Sequence, residues 1–176
     1  MRVKMRRQDR NLTDIEAFEI IDKSQFAVLS CFDFRNEPEI FTIPILIVRR
    51  GKSIFVHGAK LGSKAEIFKD NTPVSFVCVS YAHVPEHDIS YLQDIKKDYK
   101  RLAGEVFTTE YKSVVAKTKV YKIKNENKKI EILKLLCEKY TPKYMDFFAT
   151  AAIPALSKIN IYEFKIYELS AKAKIL

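Results

Sequence analysis

Short apolar segments of strand length recur along this chain and limit the folds that it can adopt. They are rich in Val, Ile, Phe and Tyr, which favour half-buried strands, and turn residues separate them. The segments are Phe26–Phe32, Glu39–Val48, Ser53–His57, Val74–Val79, Val106–Thr109, Ser113–Ile123 and Ile159–Leu169. The pattern predicts an α+β fold with six or more mostly antiparallel strands, arranged as a barrel or a sandwich with helices at its edges.

Helical signals lie between and beside these segments. Thr13 and Glu16 form a capping box, which predicts a short helix ending near Lys23. Its expected buried side carries Ile15, Phe18 and Ile21. Further helices are expected at about 63–70 and 128–140, a weaker one at 143–157, and a polar insertion at 82–104 with a helix from Ser90 to Leu102.

Composition and length favour a single domain over residues 1–176. The chain is 47% hydrophobic and 30% charged, as in ordinary globular proteins. Its longest apolar runs, such as Ile43–Val48, fall far short of the roughly 18 residues that span a bilayer. The basic start lacks the apolar region of a signal peptide, so a cytoplasmic protein without a membrane partner is expected. Three widely spaced cysteines predict neither a disulfide framework nor a zinc site.

The net charge of +9 favours a phosphate-bearing partner. The basic residues are spread over the whole length, with small groups at Arg2–Arg10, Lys117–Lys124 and Lys128–Lys129. A nucleic-acid-binding protein usually concentrates them on one element or carries a recognition motif, and none is found here. A small phosphorylated ligand is therefore a better expectation than nucleic acid.

The segment Ser53–Glu66 carries the clearest chemical signal. A strand end is followed by Gly58, Gly62, Ser63 and Lys64, directly before a predicted helix. The amides of a first helical turn favour an anion, and glycines let the backbone approach it closely. A phosphate cradle is one interpretation of this spacing, which is neither a Walker loop nor a dinucleotide fingerprint. A tight turn beside a solvated lysine is the other.

His57 ends the third apolar segment. A lone histidine at such a position is more often structural than a ligand, but a neighbouring phosphate cradle favours contact with a cofactor. His83 and His87 lie four residues apart in the insertion, so they could bind one metal ion if this segment were a helix. Pro85 between them argues against a helix. No metal site is therefore expected.

Several motifs together resemble one family. They are Arg6–Arg10 before the Thr13 helix start, Phe26–Ser30, Ile43–Ile45, Phe55–Ala59 with Gly62 and Lys64, Phe107–Val115 and Ile161–Lys174. They are similar, in this order, to the flavin-nucleotide-binding proteins related to pyridoxamine 5′-phosphate oxidase, and most of all to the 5-nitroimidazole-resistance branch. The resemblance covers nearly the whole chain except about 82–104.

The resemblance implies a split β-barrel homodimer with FMN in a cleft at the dimer interface. The strand from Thr42 to Leu46, with Ile43, Pro44 and Ile45, would run beside the flavin ring. His57 and Gly58 would lie near the ribityl chain and ring, and Ser63 and Lys64 at the phosphate. Ser113, with Thr108 and Tyr111, would form the opposite wall or a dimer contact.

The implied function is that of an FMN-dependent oxidoreductase that reduces nitro compounds or another small acceptor, with His57 as the best candidate for a catalytic residue. The alternatives are a non-catalytic flavin- or haem-binding module and a pyridoxamine-phosphate-oxidase-like enzyme. Two departures bear on the choice: Ile45 and Leu46 replace a position that is often polar in the family, and the 82–104 insertion could cover the cleft.

Overall fold

A computed structural model describes residues 7–176, so Arg6 and most of the basic group Arg2–Arg10 lie outside the described residues. The described residues contain one sheet of seven strands, and every ladder in it is antiparallel. The strands are β1 (Ala27–Asp33), β2 (Glu39–Ile45), β3 (Val48–Arg50), β4 (Ser53–Ala59), β5 (Pro73–His83), β6 (Glu110–Lys122) and β7 (Ile159–Lys174). The predicted antiparallel sheet is confirmed.

The sheet coils strongly but does not close. Its strand order is β2-β1-β5-β6-β7-β4-β3, so β2 and β3 are its two edges. Only Leu46 and Ile47 separate these edge strands along the chain, which holds their ends within about 11 Å of each other. The single strand predicted over 39–48 is therefore two strands, at opposite edges of one curled sheet.

The side chain of Tyr140 secures the step between the two edges. Its hydroxyl donates to the carbonyl of Ile47 at 2.8 Å and accepts from the amide of the same residue at 3.0 Å. Ile47 is fully buried, and its carbonyl also accepts from Nζ of Lys139 at 3.2 Å, so without Tyr140 the amide would lose its partner and the carbonyl would keep one. A side chain thus replaces strand pairing where β2 passes into β3.

The opening of the sheet lies beside the second half of β4. β3 pairs with Ser53–Phe55 and leaves the outer edge of β4 without a strand partner from Val56 to Ala59. Pro44 lies near this edge at the end of β2, where it pairs with Val28 of β1. A proline offers no amide for a ladder on its other side, so it suits an edge strand such as β2.

Helix α1 (Asp14–Lys23) begins with the predicted capping box of Thr13 and Glu16. Its buried residues are Ala17, Ile20 and Ile21, with Phe18 partly buried. Ile15 was predicted on this face, but its side chain is 72% exposed, so that prediction is wrong. The buried stripe begins at Ala17, whose small side chain allows close contact with the sheet.

Five further helices occur in the described residues: α2 (Ser63–Ile67), α3 (Ile89–Ile95), α4 (Tyr99–Arg101), α5 (Glu126–Tyr140) and α6 (Phe148–Ala155). The helix predicted at 63–70 ends early at Ile67, ahead of Asn71 and its left-handed backbone. The helix predicted at 128–140 is confirmed and begins at Asn125, whose side chain accepts from the Lys128 amide. The stretch predicted at 143–157 is a short turn followed by α6, which contains Pro154.

The polar segment predicted as an insertion contains the last part of β5 and most of the following helices. β5 continues to His83, and the helix predicted from Ser90 to Leu102 is divided into α3 and α4. The strand predicted over Val106–Thr109 is wrong: residues Leu102–Val106 form a wide helical turn that continues α4. β6 then begins at Glu110 rather than at Ser113.

Two hydrophobic cores lie on opposite faces of β4. Ile54 and Val56 belong to the larger core inside the curled sheet, which is built around Phe76, Phe164 and Phe68 in edge-to-face contact. Phe55 belongs to a second core beneath α5 and α6. Because successive strand residues alternate between faces, His57 follows Phe55 on the helix side, and Gly58 follows Val56 on the inner side.

Candidate functional site

A groove of about 550 Å³ occupies the opening of the sheet. Its walls come from the end of β2, the unpaired end of β4, α2 and the start of β7. The lining residues are Pro44, Ile45, Leu46, His57, Gly58, Ala59, Lys64, Lys158 and Ile159. The fold therefore brings five of the predicted site residues together: Pro44, Ile45, His57, Gly58 and Lys64.

Two lysines give the groove its charge. Lys64 comes from the first turn of α2, as predicted, and Lys158 stands directly before β7. Sequence reasoning missed Lys158, because only the pairing of β4 with β7 places it beside the end of β4. The amide of Lys60 donates to the Lys158 carbonyl at 3.2 Å and fixes this junction. Two cations in the lining of one groove favour an anionic ligand in it.

Gly58 allows Lys64 to lie against the strand. A Cβ atom at position 58 would stand 3.0 Å from Cε of Lys64, so the lysine stem occupies the space that a side chain would take. Gly58 is itself buried. The predicted close approach at this glycine is therefore made by Lys64, which extends across β4 towards the groove.

The predicted residue Ser63 does not line the groove. Gly62 precedes it with φ of 93°, a left-handed conformation that glycine adopts without strain. The Ser63 hydroxyl accepts a hydrogen bond from Nη2 of Arg35 at 3.2 Å. Arg35 also binds both oxygens of Asp33 and pairs with Glu66, so it ties the end of β1 to α2.

Arg35 is thus a positioning residue that the sequence analysis did not identify. Its guanidinium hydrogen bonds, supplemented by its backbone amide, hold the pKa of the Asp33 carboxyl below its usual value. Twenty-eight residues separate Arg35 from Ser63, and no local pattern connects them. Only the folded chain brings them together.

His57 stands where the groove meets the second core. Its pKa is lowered, first because the surrounding protein displaces water from the ring and second because Lys64 is a cation. The residue as a whole is exposed, so its ring is accessible to a ligand in the groove that it lines. At neutral pH a lowered pKa favours the neutral imidazole, which has one hydrogen-bond donor and one acceptor.

The remaining predicted residues lie elsewhere on the sheet. Ile43 packs against the inner core. Thr42 is exposed and lies 3.1 Å from the Ser30 hydroxyl on the outer face, and Ser113 is on the same face of β6. Ser113 is three strands from Pro44, which corresponds to about 16 Å. One chain does not bring Ser113 to the groove.

Exposed apolar side chains surround Ser113 and Thr42 on this outer face. Val28, Val77 and Val115 form one row with Pro44 across β2, β1, β5 and β6. Val77 and Val115 are each 40% exposed, and further exposed apolar residues on the same strands are Phe32, Ile40 and Val79. A contiguous apolar sheet face of this kind is typical of an interface with another protein surface.

A second cavity, of about 350 Å³, adjoins the groove on the helix side of β4. It lies between α5, the turn at 142–147 and α6, and His57 and Ile159 line both spaces. Leu133, Met145, Phe148 and Ala152 contribute to a wall that is mostly carbon. His57 therefore stands between a cationic compartment and an apolar one.

Within residues 7–176 no group of three or more potential metal ligands occurs. His87 hydrogen-bonds the Glu105 carbonyl at 2.9 Å and stacks on Tyr91, while His83 ends β5. Cys31, Cys78 and Cys137 are free thiols, and burial raises the pKa of Cys31 to about 11 and that of Cys78 to about 12. None of the described helices is both long and apolar enough to cross a membrane.

The donor set of the groove fits a phosphorylated ligand with a flat apolar part. Lys64 and Lys158 offer positive charge, and Pro44, Ile45 and Leu46 form an apolar wall opposite His57. The volume lies in the usual range of small-molecule sites, roughly 300–1,000 Å³. A flavin nucleotide combines these features, and a phosphate ester of another apolar molecule would share them.

Solved structures of known proteins share this architecture. A candidate 5-nitroimidazole antibiotic resistance protein from Bacteroides thetaiotaomicron is 14% identical, with a TM-score of 0.66 over 92% of this chain and 84% of that one. The FAD and heme binding protein from Mycobacterium smegmatis is 13% identical, with a TM-score of 0.72 over 95% and 74%. The flavocytochrome Anf3 from Azotobacter vinelandii is 15% identical, with a TM-score of 0.74 over 99% and 73%.

Identities this low establish likeness of fold alone. No curated protein matches the sequence. A sequence profile described as pyridoxamine 5′-phosphate oxidase matches residues 13–173, which include β1 to β6 and all of β7 except its last residue. The resemblance found in the sequence is therefore confirmed at the level of the family, while its nitroimidazole-resistance branch is not distinguished from the others. This chain belongs to the pyridoxamine 5′-phosphate oxidase family.

Proposed function

We propose that the protein binds FMN in the groove at the open edge of β4 and uses it to reduce a small acceptor such as a nitro compound. The observation that carries the proposal is the groove itself. An open sheet edge, an apolar wall that includes Pro44, Lys64 beside Gly58, and Lys158 meet in one space. Family membership and the flavin-binding proteins among its structural neighbours support the same ligand class.

Each residue has a role in this proposal. Lys64 and Lys158 bind the phosphate, and Gly58 lets Lys64 reach it. The β2 segment with Thr42, Ile43, Pro44 and Ile45 runs along the ring, with Ile43 and Ile45 fixing the strand from the core side. Ser63 acts through its bond to Arg35, which holds α2 in place.

The bound flavin supplies the electron transfer. The chain binds the phosphate, orients the ring against the β2 end and excludes water on the side of the second core. His57 holds a hydrogen bond at the ring or at the acceptor, and its lowered pKa keeps the imidazole neutral for that purpose near pH 7. His57 is the proposed catalytic residue.

A homodimer completes the site in this proposal. Ser113 is on the outer sheet face, about 16 Å from Pro44, and is too far from the groove of its own chain to contact a small ligand there. A second copy that covers the apolar row of Val28, Val77 and Val115 would bring its own Ser113 to the groove. The apolar character of the row supports this dimer.

The first experiment is an absorbance titration of flavin-free protein with FMN and, separately, with riboflavin. Lys64→Ala should weaken FMN binding about 10- to 100-fold, as expected for loss of a charged hydrogen bond of about 1.5–3 kcal/mol. Riboflavin has no phosphate, so the same substitution should leave its binding nearly unchanged. Lys52→Ala is the matched control, because it removes the same charge just before the opposite end of β4.

Three outcomes would count against the proposal. Equal loss of FMN and riboflavin binding in Lys64→Ala would mean that the lysine supports the fold and not the phosphate. Uptake of FAD in preference to FMN would replace the named cofactor. Uptake of haem, seen as a Soret band, without flavin uptake would favour the haem-binding alternative. If FMN binds, turnover with NAD(P)H and a nitro compound tests the proposed reaction, and His57→Gln should slow it.

A further inference from the structure

The apolar cavity beside His57 is an open pocket and not an enclosed void, since Tyr144 and Phe147 in its wall are 65% and 67% exposed. It measures about 350 Å³, which lies within the size range of ordinary small-molecule sites. A space of this kind is suited to a ligand with one or two rings.

Small side chains on α6 create the space. Ala151, Ala152 and Ala155 line the cavity from this helix, where larger residues would fill it. α5 contributes Leu133 and Cys137 opposite them, and Phe148 closes one end. The alanines therefore shape a pocket between two apolar helices.

Few polar atoms reach the cavity, and their arrangement indicates the orientation of a ligand. The Thr141 hydroxyl lies at the far end of α5 and donates to the Cys137 carbonyl at 3.0 Å, so its proton is already used. His57 lies on the side where the cavity meets the groove, and the positive charge of Lys64 contributes to lowering its pKa. A ligand that carries one hydrogen-bond acceptor or one anionic group would bind with that group facing His57.

We propose that this cavity binds a small aromatic molecule of one or two rings, with an acceptor or carboxylate group against His57 and its rings among the α5 and α6 side chains. His57 and Ile159 line both the cavity and the groove, so the two spaces are neighbours. The molecule is the second reactant, next to the cofactor, only if the proposed function holds. Its binding in the cavity does not depend on the flavin.

Cys137 provides a reporter on the cavity wall. It is a partly exposed free thiol that lines the cavity, whereas Cys31 and Cys78 are buried with raised pKa values and are expected to be unreactive in the folded protein. Alkylation of flavin-free protein by iodoacetamide, followed by peptide mass spectrometry, measures the rate at Cys137. A saturating concentration of 2-naphthoate should slow this rate at least fivefold.

Two alanine substitutions on α6 form a matched pair. Ala151→Leu adds three carbons to the cavity wall and should raise the naphthoate concentration needed for half protection at least tenfold. Ala149→Leu makes the same change at an exposed position that does not line the cavity, and should leave this concentration unchanged. Equal thermal unfolding midpoints of the two variants confirm that the fold is retained.

The proposal is overturned if naphthoate gives no protection of wild-type Cys137, or if Ala151→Leu and Ala149→Leu weaken protection equally. Failure of the flavin proposal has a different signature, since FMN binding is read from flavin absorbance and the cavity from alkylation of flavin-free protein. Protection by naphthoate without FMN uptake would support the cavity alone. FMN uptake without protection would support the groove alone.

Discussion

Residues predicted to bind the cofactor lie in two regions of the sheet, the groove at the end of β4 and the outer face of β2, β1, β5 and β6. The two regions differ in shape and in charge. The groove is concave, cationic and assembled from four elements of one chain. The outer face presents an exposed apolar row that includes Val77 and Val115, with Ser113 beside it. The difference teaches that one chain assembles the charged groove by itself, whereas its Ser113 stays on an apolar surface and could reach a groove only in the proposed homodimer.

The largest expected effect comes from placing a charge on that surface. Val77→Lys should abolish dimer formation and weaken FMN binding more than 100-fold, because an unpaired ammonium would be buried in the apolar contact. Sedimentation velocity and the FMN titration measure the two consequences. Ile15→Lys is the control, since Ile15 is an exposed apolar residue on α1, outside the outer sheet face.

A monomeric Val77→Lys protein that still bound FMN with wild-type affinity would break the comparison. The groove of one chain would then be the whole site, and Ser113 would have no role in it. A wild-type protein that is monomeric at micromolar concentration would lead to the same conclusion.

The next effect tests whether the groove is held in shape by its own chain. Tyr140→Phe removes the hydroxyl that pairs with both backbone groups of buried Ile47, next to Leu46 in the groove wall. The loss should lower the free energy of unfolding by about 1–3 kcal/mol. Chemical denaturation measures it, with Tyr144→Phe as the control because Tyr144 is 65% exposed.

If Tyr140→Phe were as stable as the wild type, the Ile47 amide would have found another partner, and the bond from Nζ of Lys139 to the Ile47 carbonyl would be sufficient to hold the step between β2 and β3. If it lost stability but kept full FMN affinity, the groove wall at Leu46 would be formed independently of that step.

A smaller effect is expected from Gly58→Ala. The new Cβ would stand 3.0 Å from Cε of Lys64, so the flexible lysine stem must shift away from the strand. FMN binding should weaken about two- to tenfold, and less than in Lys64→Ala, since the charge is moved and not removed. Gly104→Ala is the control because a Cβ there meets nothing within 4 Å. Unchanged FMN binding in Gly58→Ala would show that the position of Lys64 is not critical.

The sequence predicted the local elements well because their causes are local. The capping box of Thr13, most of the apolar segments and the helix at 128–140 each depend on a few neighbouring residues, and these are confirmed, whereas Val106–Thr109 is not a strand. The break of one apolar run into β2 and β3 could not be predicted. It depends on the Tyr140 hydroxyl, which is 93 residues away from Ile47 along the chain.

The site shows the same limit. Gly58 and Lys64 are six residues apart, and their spacing alone indicated a cationic turn that the structure contains. Arg35 and Lys158 join them only through tertiary contacts, so no pattern in the sequence pointed to either. Residues 42–45 alternate between faces, so the sequence could identify the strand but not which of its side chains would reach the groove.

The smallest effect is a pH dependence that reports on the two sides of His57. Its pKa is lowered in the folded protein, by burial and then by Lys64, so below about pH 6.5 the unfolded chain binds more protons at this residue. Stability should therefore fall as the pH drops below that value, and be unaffected by this group above it. His57→Gln should lose this part of the pH dependence, whereas His83→Gln, at the exposed end of β5, should retain it. Denaturation midpoints between pH 5 and 8 measure the difference.

If Lys64→Ala halves the pH dependence, the groove side contributes strongly to the lowered pKa of His57. If it leaves the pH dependence intact, burial on the helix side is sufficient. Equal pH profiles for wild type and His57→Gln would contradict the lowered pKa, and with it the neutral imidazole in the proposed site.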